Sequence, residues 1–572
     1  MARTVELVGE GRPDQIVQVT LGSGNDTVRI AQLVGRGDSQ FEAAEFILSG
    51  GEGRDTLDLT DLVSYYDRNF GYGHLNDTGS FDRLVIDAES GQFERGSWNG
   101  YWPDYDPVRA VHGAFSGFEV YYLPDFALSV PRLFLPEQTY QIFFTGNDLV
   151  SETVFGGSRG DGMSGGGGDD LLFGGIGNDT LTGGSGNDRL DGGTGSNAHI
   201  GGIGNDSYVI RSATDTITEV AGQGTDRVLA SVSFALAGDD SIETMQTTSS
   251  AGTGGINLTG NALAQQIFGN AGDNVLNDGG FGAADTLTAG LGTDIYIVNN
   301  AGSIIVEGAG QGINDRVAAS LSFVLAADDN IERLTTTSSS ATTAINLTGN
   351  ALAQVITGNA GANVLSDGGG AGADTLMGVG GNDTYIVRNA ATQIAEGTGQ
   401  GTGDRVAASA SFVLAADDNI EVMTTTSTSG TTAIDLTGNA LAQTITGNAG
   451  ANVLNGLGGL DTLTGSGGAD AFVFSTALGA GNVDTVIDFN VTADTIRLEN
   501  AVFTGLVAGV LTAAAFRANT TGLAGDATDR IIYETDTGNL FFDADGSGAA
   551  GPIRFAVLDA GLAVTQADFL VI

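Results

Sequence analysis

Residues Gly165–Val209 read GGGGDDLLF GGIGNDTLT GGSGNDRLD GGTGSNAHI GGIGNDSYV, five nine-residue units in one register. The shared pattern is Gly-Gly-x-Gly-x-Asp-x-apolar-x. Glycines at the first, second and fourth places permit a turn with positive φ angles and leave backbone carbonyls exposed. The aspartate adds a carboxylate, so each turn offers the carbonyl and carboxylate oxygens that a hard cation such as Ca²⁺ requires. The apolar eighth residue (Leu172, Leu181, Leu190, Tyr208) points from a short strand into a narrow core. One match in a chain with 91 glycines would carry little weight. Five consecutive units in one register, with only the fourth departing at its aspartate, specify an all-β fold, a parallel β-roll or β-solenoid that binds several Ca²⁺ ions and folds by binding them.

Bulk composition agrees. The 22 Lys and Arg stand against 69 Asp and Glu, a formal net charge of −47. That balance argues against nucleic acid as a partner and against an anionic membrane surface, and it fits a chain neutralised by bound cations. With no cysteine, disulfides, thiolate metal sites and a cysteine nucleophile are excluded, which leaves metal as the source of stability. No stretch approaches the roughly 18 consecutive apolar residues of a membrane span. The opening MARTVELVGEGRPDQ lacks the basic and apolar regions of a cleavable secretory signal, so an export address is expected elsewhere.

Three tandem blocks follow the nonapeptide run. The aspartates before the strand phrases DSYVI, DIYIV, DTYIV and DAFVF are Asp206, Asp294, Asp383 and Asp470, spaced 88, 89 and 87 residues apart. Within each block GQG…DRV, SF.LA.DD.IE, LTGNALAQ and GNAG.NVL recur in order. Short β-branched segments between Gly, Asn and Asp turns indicate solenoid coils rather than separate globular domains. The expected organisation is residues 1–150, an N-terminal β-solenoid region with aromatic insertions; 151–210, the nonapeptide run; 211–470, three tandem blocks with breaks near 294 and 383; and 471–572, a mixed-β cap. Weaker nonapeptides close the blocks at Asp285, Asp374 and Asp461. The GNAG units carry Asn274, Asn363 and Asn452 where the aspartate belongs, and read as structural coils without a strong calcium site.

Two good units also stand early, around Asp26 and Asp55, and the phrases DRLVIDAESG and IFFTGNDLV read as further solenoid strands. Aromatic insertions interrupt them: Tyr65–Asp82, and Phe93–Phe118 with Trp98, Tyr101, Trp102 and Tyr105. These four are candidate contacts for a glycan or a partner, or else a small satellite core under a long loop.

The nonapeptides resemble those of the RTX (repeats-in-toxin) proteins of Gram-negative bacteria. The segment ADAFVFSTALGAGNVDTVIDFNVTADTIRLEN, with LFFDADGSG and the ending DFLVI, resembles the C-terminal domain shared with serralysin-type proteases. The resemblance implies export by a type I ABC apparatus that reads an uncleaved C-terminal signal. It also implies Ca²⁺ between turns of adjacent coils, held by Asp161, Asp170, Asp179, Asp188, Asp206, Asp285, Asp294, Asp374, Asp383, Asp461 and Asp470, with Asp26 and Asp55 in the early units. Asn197 departs from the motif, which weakens or removes the site using that turn.

No protease domain accompanies the resemblance. None of the three histidines (His74, His112, His199) stands in an HExxH pattern, and the G-x-S-x-G strings around Ser158 and Ser164 fall inside the glycine-rich run without a strand-to-helix context. No catalytic residue is expected. Asp543-Ala-Asp545-Gly546-Ser547 begins like an EF-hand loop, but Arg554 takes the twelfth place, leaving a turn or an irregular cation site. The pairs Asp239-Asp240, Asp328-Asp329 and Asp417-Asp418 recur once per block, as a structural turn would.

The expected function is therefore a secreted, non-enzymatic calcium-dependent structural protein of the cell surface or extracellular matrix, such as a surface layer, filament or matrix component that self-assembles. An RTX adhesin binding polysaccharide or lipopolysaccharide through the aromatic insertions is the alternative. A polysaccharide-modifying enzyme is the third reading, with about 100 residues to house its site.

Overall fold

The computed structural model describes residues 151, 153–157 and 159–572, together with the backbone of nine strands between Thr4 and Thr145. The chain forms two compact units: Met1–Gly292 with Gly302–Ile304, and Thr293–Ala301 with Ile305–Ile572. The candidate residues Asp26, Asp55, Trp98, Tyr101, Trp102 and Tyr105 lie outside the described residues.

Glycine and aspartate end each strand after a few residues, so a nonapeptide makes one short strand and one turn. In the first unit two nonapeptides complete a coil. Thr180 pairs with Ala198 in one sheet and Leu171 with Arg189 in the other, each 18 residues apart and parallel. The period of two along a strand sends the central residue inward. In the sheet that starts with Thr153–Phe155, the inward residues are Val154, Leu172, Leu190, Tyr208, Val228, Met245, Ile267 and Leu287, each paired with the next and each fully buried. Met163, Leu181, His199 and Ile217 form the facing ladder. His199 thus occupies the apolar eighth place itself, fully buried between Leu181 and Ile217. Burial lowers its pKa, which keeps the ring neutral and compatible with a core site.

The earlier strands belong to the same unit. Arg83–Asp87 pairs in parallel with Gln141–Thr145, which pairs with Gly162–Gly167. Phe93–Arg95 and Ala110–Gly113 pair antiparallel, a hairpin that departs from the coil pattern.

The second unit repeats the design with coils of uneven length, as the later coils of the first unit do. One ladder runs Tyr296, Val317, Leu334, Ile356, Leu376, Ile394, and another Leu347, Leu365, Tyr385, Val406, Met423, Ile445, Leu463, Val486. The sheets turn mixed near the C-terminus. Asn539–Phe542 pairs antiparallel with both Ile531–Glu534 and Ile553–Val557, and Phe474, Phe503, Phe542 and Phe555 pack edge to face beneath them. This cap closes a solenoid end that would otherwise expose an unpaired edge. The final strand Phe569–Val571 lies parallel to Thr495–Leu498, with Phe569 and Val571 buried. Asp568 and Thr565 form a capping box around the short 3-10 turn before it.

Because Leu190 sits in a continuous ladder that cannot collapse around a void, Leu190→Ala is expected to destabilise the calcium-saturated protein by about 2–5 kcal/mol. Leu171, which faces outward, is expected to tolerate alanine with a change of about 0.5 kcal/mol or less. Urea denaturation midpoints of the two variants check both outcomes.

Candidate calcium sites

Asp179 shows how the turns are built. Its Oδ1 accepts the backbone N–H of Asp161, one coil back, at 2.7 Å. Its Oδ2 is buried and has no hydrogen-bond partner. The first glycine of the same repeat, Gly174, faces that oxygen. A Cβ on Gly174 would overlap Asp179 Oδ2 and come within 2.7 Å of the Gly192 carbonyl oxygen one coil on. The missing Cβ therefore keeps open a cradle lined by a carboxylate oxygen and a backbone carbonyl. Gly177, at φ +140°, turns the chain around it in a conformation few other residues adopt.

The same bond recurs along the chain. The N–H of Asp170 donates to Asp188 Oδ1 at 2.8 Å, that of Asp188 to Asp206 at 2.7 Å, that of Asn363 to Asp383 at 2.7 Å, and that of Asn452 to Asp470 at 2.8 Å. Gln265, Gln354 and Gln443 donate in the same way to Asp285, Asp374 and Asp461. Every described candidate, from Asp161 through Asp170, Asp179, Asp188, Asp206, Asp285, Asp294, Asp374, Asp383 and Asp461 to Asp470, is buried. The Oδ2 atoms of Asp188, Asp206, Asp285, Asp383 and Asp461 repeat the partnerless oxygen of Asp179.

A buried carboxylate without a compensating charge is costly, and it responds by holding its proton. Burial raises Asp179, Asp206, Asp374, Asp383 and Asp470 to about 6, and Asp188 and Asp285 to about 7. Accepted backbone hydrogen bonds oppose this, and neighbouring carboxylates add to it. Two ion pairs, Arg211 with Asp191 and Arg517 with Asp529, lie on other carboxylates. Oxygen-only donors, partnerless buried oxygens and glycine-lined cradles fit a hard divalent cation, and fit Ca²⁺ better than a nitrogen- or sulfur-seeking metal.

The asparagine units solve the same problem differently. Asn363 Oδ1 accepts the N–H of Asn359 at 2.8 Å, while its Nδ2 donates to the Ile345 carbonyl at 2.9 Å. Asn452 does the same with Asn448 and with Ile434. An amide N–H₂ thus fills the role of a positive group toward a neighbouring coil's carbonyl. Asn197 likewise sends its Nδ2 to Asp215 Oδ1 at 3.1 Å.

Other sequence candidates resolve as turns. Asp240, Asp329 and Asp418 accept the N–H three residues back, from Ala237, Ala326 and Ala415. Asn261, Asn350 and Asn439 clasp the same turns by donating to two carbonyls each. In the DADG loop, Asp543 Oδ1 accepts the N–H of Asp545, and Asp545 Oδ2 accepts that of Ala550.

Reading the sequence also missed residues. Asp226, Asp315 and Asp404 in the GQG…DRV phrases are nonapeptide aspartates: their Oδ1 atoms accept the N–H groups of Asp206, Asp294 and Asp383 at 2.7 Å each. The signal was present, since AGQGTDRVL keeps the second and fourth glycines and the sixth-place aspartate. In LTGNALAQ, glutamine fills the aspartate's place, and its Nε2 binds the turn's own asparagine. Asp484 and Asp494, which follow irregular spacers, take the N–H groups of Asp461 and Asp470. Three glutamates, Glu219, Glu307 and Glu396, carried no motif signal.

Four segments match the RTX calcium-binding nonapeptide repeat: residues 164–198, 175–208, 348–385 and 437–472. Together with the parallel coils, these repeats fit an RTX calcium-binding β-roll protein, and RTX nonapeptide repeats bind Ca²⁺ at multiple sites. No curated protein matches the chain. RTX repeat proteins are in general secreted, and no helix of the described residues is long and apolar enough to cross a membrane.

The raised pKa values give a signed expectation. Between about pH 4 and pH 7 the metal-free folded chain binds more protons than the unfolded chain, so its stability falls as pH rises through that window. Protons then compete with Ca²⁺ at low pH. Calorimetric titration at pH 8 and pH 5.5 is expected to show affinity at the acid pH weaker by roughly tenfold or more per site.

Proposed function

We propose that this protein is a secreted, calcium-dependent structural component of the cell surface or extracellular matrix that folds and self-assembles on binding Ca²⁺. The carboxylates of Asp161, Asp170, Asp179, Asp188, Asp206, Asp285, Asp294, Asp374, Asp383, Asp461 and Asp470 are assigned as its nonapeptide ligands, with Asp26 and Asp55 in the early units. Export by a type I apparatus is what the resemblance of residues 469–500 to the serralysin-type C-terminal domain implies. Catalysis has no place in this reading.

One observation carries the assembly: apolar side chains stand exposed at matching places in successive repeats. Leu263, Leu352 and Leu441, the second leucine of each LTGNALAQ, are each about 40% exposed, and Val324 and Val413 are 66% and 64% exposed. A rigid parallel scaffold holding apolar groups at repeated positions suits lateral contact with further copies of itself.

Electron microscopy of the purified chain in millimolar Ca²⁺, and again after chelation, tests this. Ordered sheets or filaments that dissolve on chelation are expected, and Leu352→Asp with Leu441→Asp should abolish them. A calcium-folded monomer that never associates would overturn the assembly. It would favour the adhesin reading, which glycan pull-down with Trp98→Ala and Trp102→Ala then examines.

A further inference from the structure

The three glutamates without a motif signal hold equivalent places. Each follows a D-x-Y strand and precedes a GQG…D turn: Asp206, Tyr208, Glu219, Asp226; Asp294, Tyr296, Glu307, Asp315; Asp383, Tyr385, Glu396, Asp404. In each, the tyrosine hydroxyl donates to one glutamate oxygen, Oε2.

The register explains how the glutamate gets there. In an ordinary coil the residue 18 places beyond a cradle glycine is itself a glycine, as Gly192 is to Gly174. Glu219 lies 18 places beyond Gly201, and Glu396 lies 18 places beyond Gly378. A Cβ on Gly201 would overlap Tyr208 Oη and Asp206 Oδ2 and come within 2.5 Å of Glu219 Oε2. A Cβ on Gly378 would overlap Asp383 Oδ2 and lie 2.5 Å from Tyr385 Oη. The glutamate therefore reaches back into the cradle from the coil above, where other coils offer only backbone.

Carboxylate oxygens of Asp383, Glu396 and Asp404 lie within 4.8 Å of one another, as do those of Asp206, Glu219 and Asp226. All six residues are at least 98% buried. In the second unit's cluster each side chain keeps one oxygen with no hydrogen-bond partner: Asp383 Oδ2, Glu396 Oε1 and Asp404 Oδ2. The other oxygen of each is already used, by the Asn363 N–H, the Tyr385 hydroxyl and the Asp383 N–H. Three converging buried anions, each with one lone-pair face open, lack only a cation. The ion pairs Arg211–Asp191 and Arg517–Asp529 involve none of these six carboxylates.

We infer that Asp383, Glu396 and Asp404, and likewise Asp206, Glu219 and Asp226, form a second class of Ca²⁺ site in which a glutamate from the next coil adds a third carboxylate to the nonapeptide pair. The tyrosine is a positioning residue: its hydroxyl holds the glutamate through Oε2 beside the cradle. An additional carboxylate raises affinity at an oxygen-ligand site, since ligand charge count sets the binding range. These sites fill before the two-carboxylate sites as Ca²⁺ rises, so each marked block gains its cation first. The inference rests on calcium binding by the repeats and not on assembly.

Equilibrium dialysis of the full chain against radioactive Ca²⁺ counts the tight sites. Glu219→Gln and Glu396→Gln are each expected to lose one tightly bound Ca²⁺, and the double variant two, with the weaker class unchanged. Tyr385→Phe, which keeps all three carboxylates, is expected to retain the count. The same calcium count and affinity in the double variant would overturn the proposal, and so would a loss in Tyr385→Phe equal to that in Glu396→Gln. Should a glutamine variant fail to fold, Tb³⁺ substitution decides. Tyrosine-excited Tb³⁺ emission at low occupancy is expected to drop in Tyr208→Phe combined with Tyr385→Phe, and unchanged emission would contradict the site. Absence of filaments leaves this inference standing, because calcium count is its readout.

Discussion

The bond from a backbone N–H on one coil to the aspartate Oδ1 of the next, with Oδ2 left facing a glycine-lined gap, governs the rest of this structure. It spends half of each carboxylate on stacking and leaves the other half buried and uncompensated. Parallel coils bring such half-used carboxylates together at the spacing of adjacent strands, close to 5 Å. Without cations the stack gathers like charges in a medium that solvates them poorly, and with cations the same stack becomes its own binding site. The inward ladder of Leu, Ile, Val and Tyr side chains supplies cohesion, but each short strand adds only a few apolar residues to it.

Where the chain omits the aspartate, it provides a neutral replacement rather than a vacancy. Asn363 and Asn452 send an amide to the carbonyl that a cation would otherwise approach, and Gln354 does comparable work inside its own turn. The blocks therefore alternate charged turns with neutral ones, which limits the charge each cation must offset. Because neighbouring coils share the N–H to Oδ1 bond, loading one coil orders the next, as expected of a quasi-one-dimensional repeat.

Much of this was legible in the residues. The five units of Gly165–Val209 announce the turn, the ligand and the inward residue together, because each has a fixed place in nine. The block period appears in DSYVI, DIYIV and DTYIV because repetition makes register visible. What escaped notice had lost the flanking glycines or depended on the stacking itself. Asp226 sits in a unit that begins with alanine, Asp315 follows an inserted residue, and Gln354 replaces the acid outright. Glu219 and Glu396 reach their partners only because a coil takes 18 residues there, so no pattern within nine residues contains them. His199 fills an apolar eighth place, which an ionisable residue in a unit that also lacks its aspartate does not announce.

Hydrogen exchange across a Ca²⁺ titration at pH 7.5 tests the central claim most directly, with mass spectrometry resolving peptides that span Thr180–Ser185 and Thr384–Val387. The account predicts that both strands exchange like unfolded chain in chelator and become protected together with the bound cations as Ca²⁺ reaches the millimolar range. Equal protection of these strands in chelator and in calcium would contradict it, since the buried carboxylates would then be tolerated without any cation.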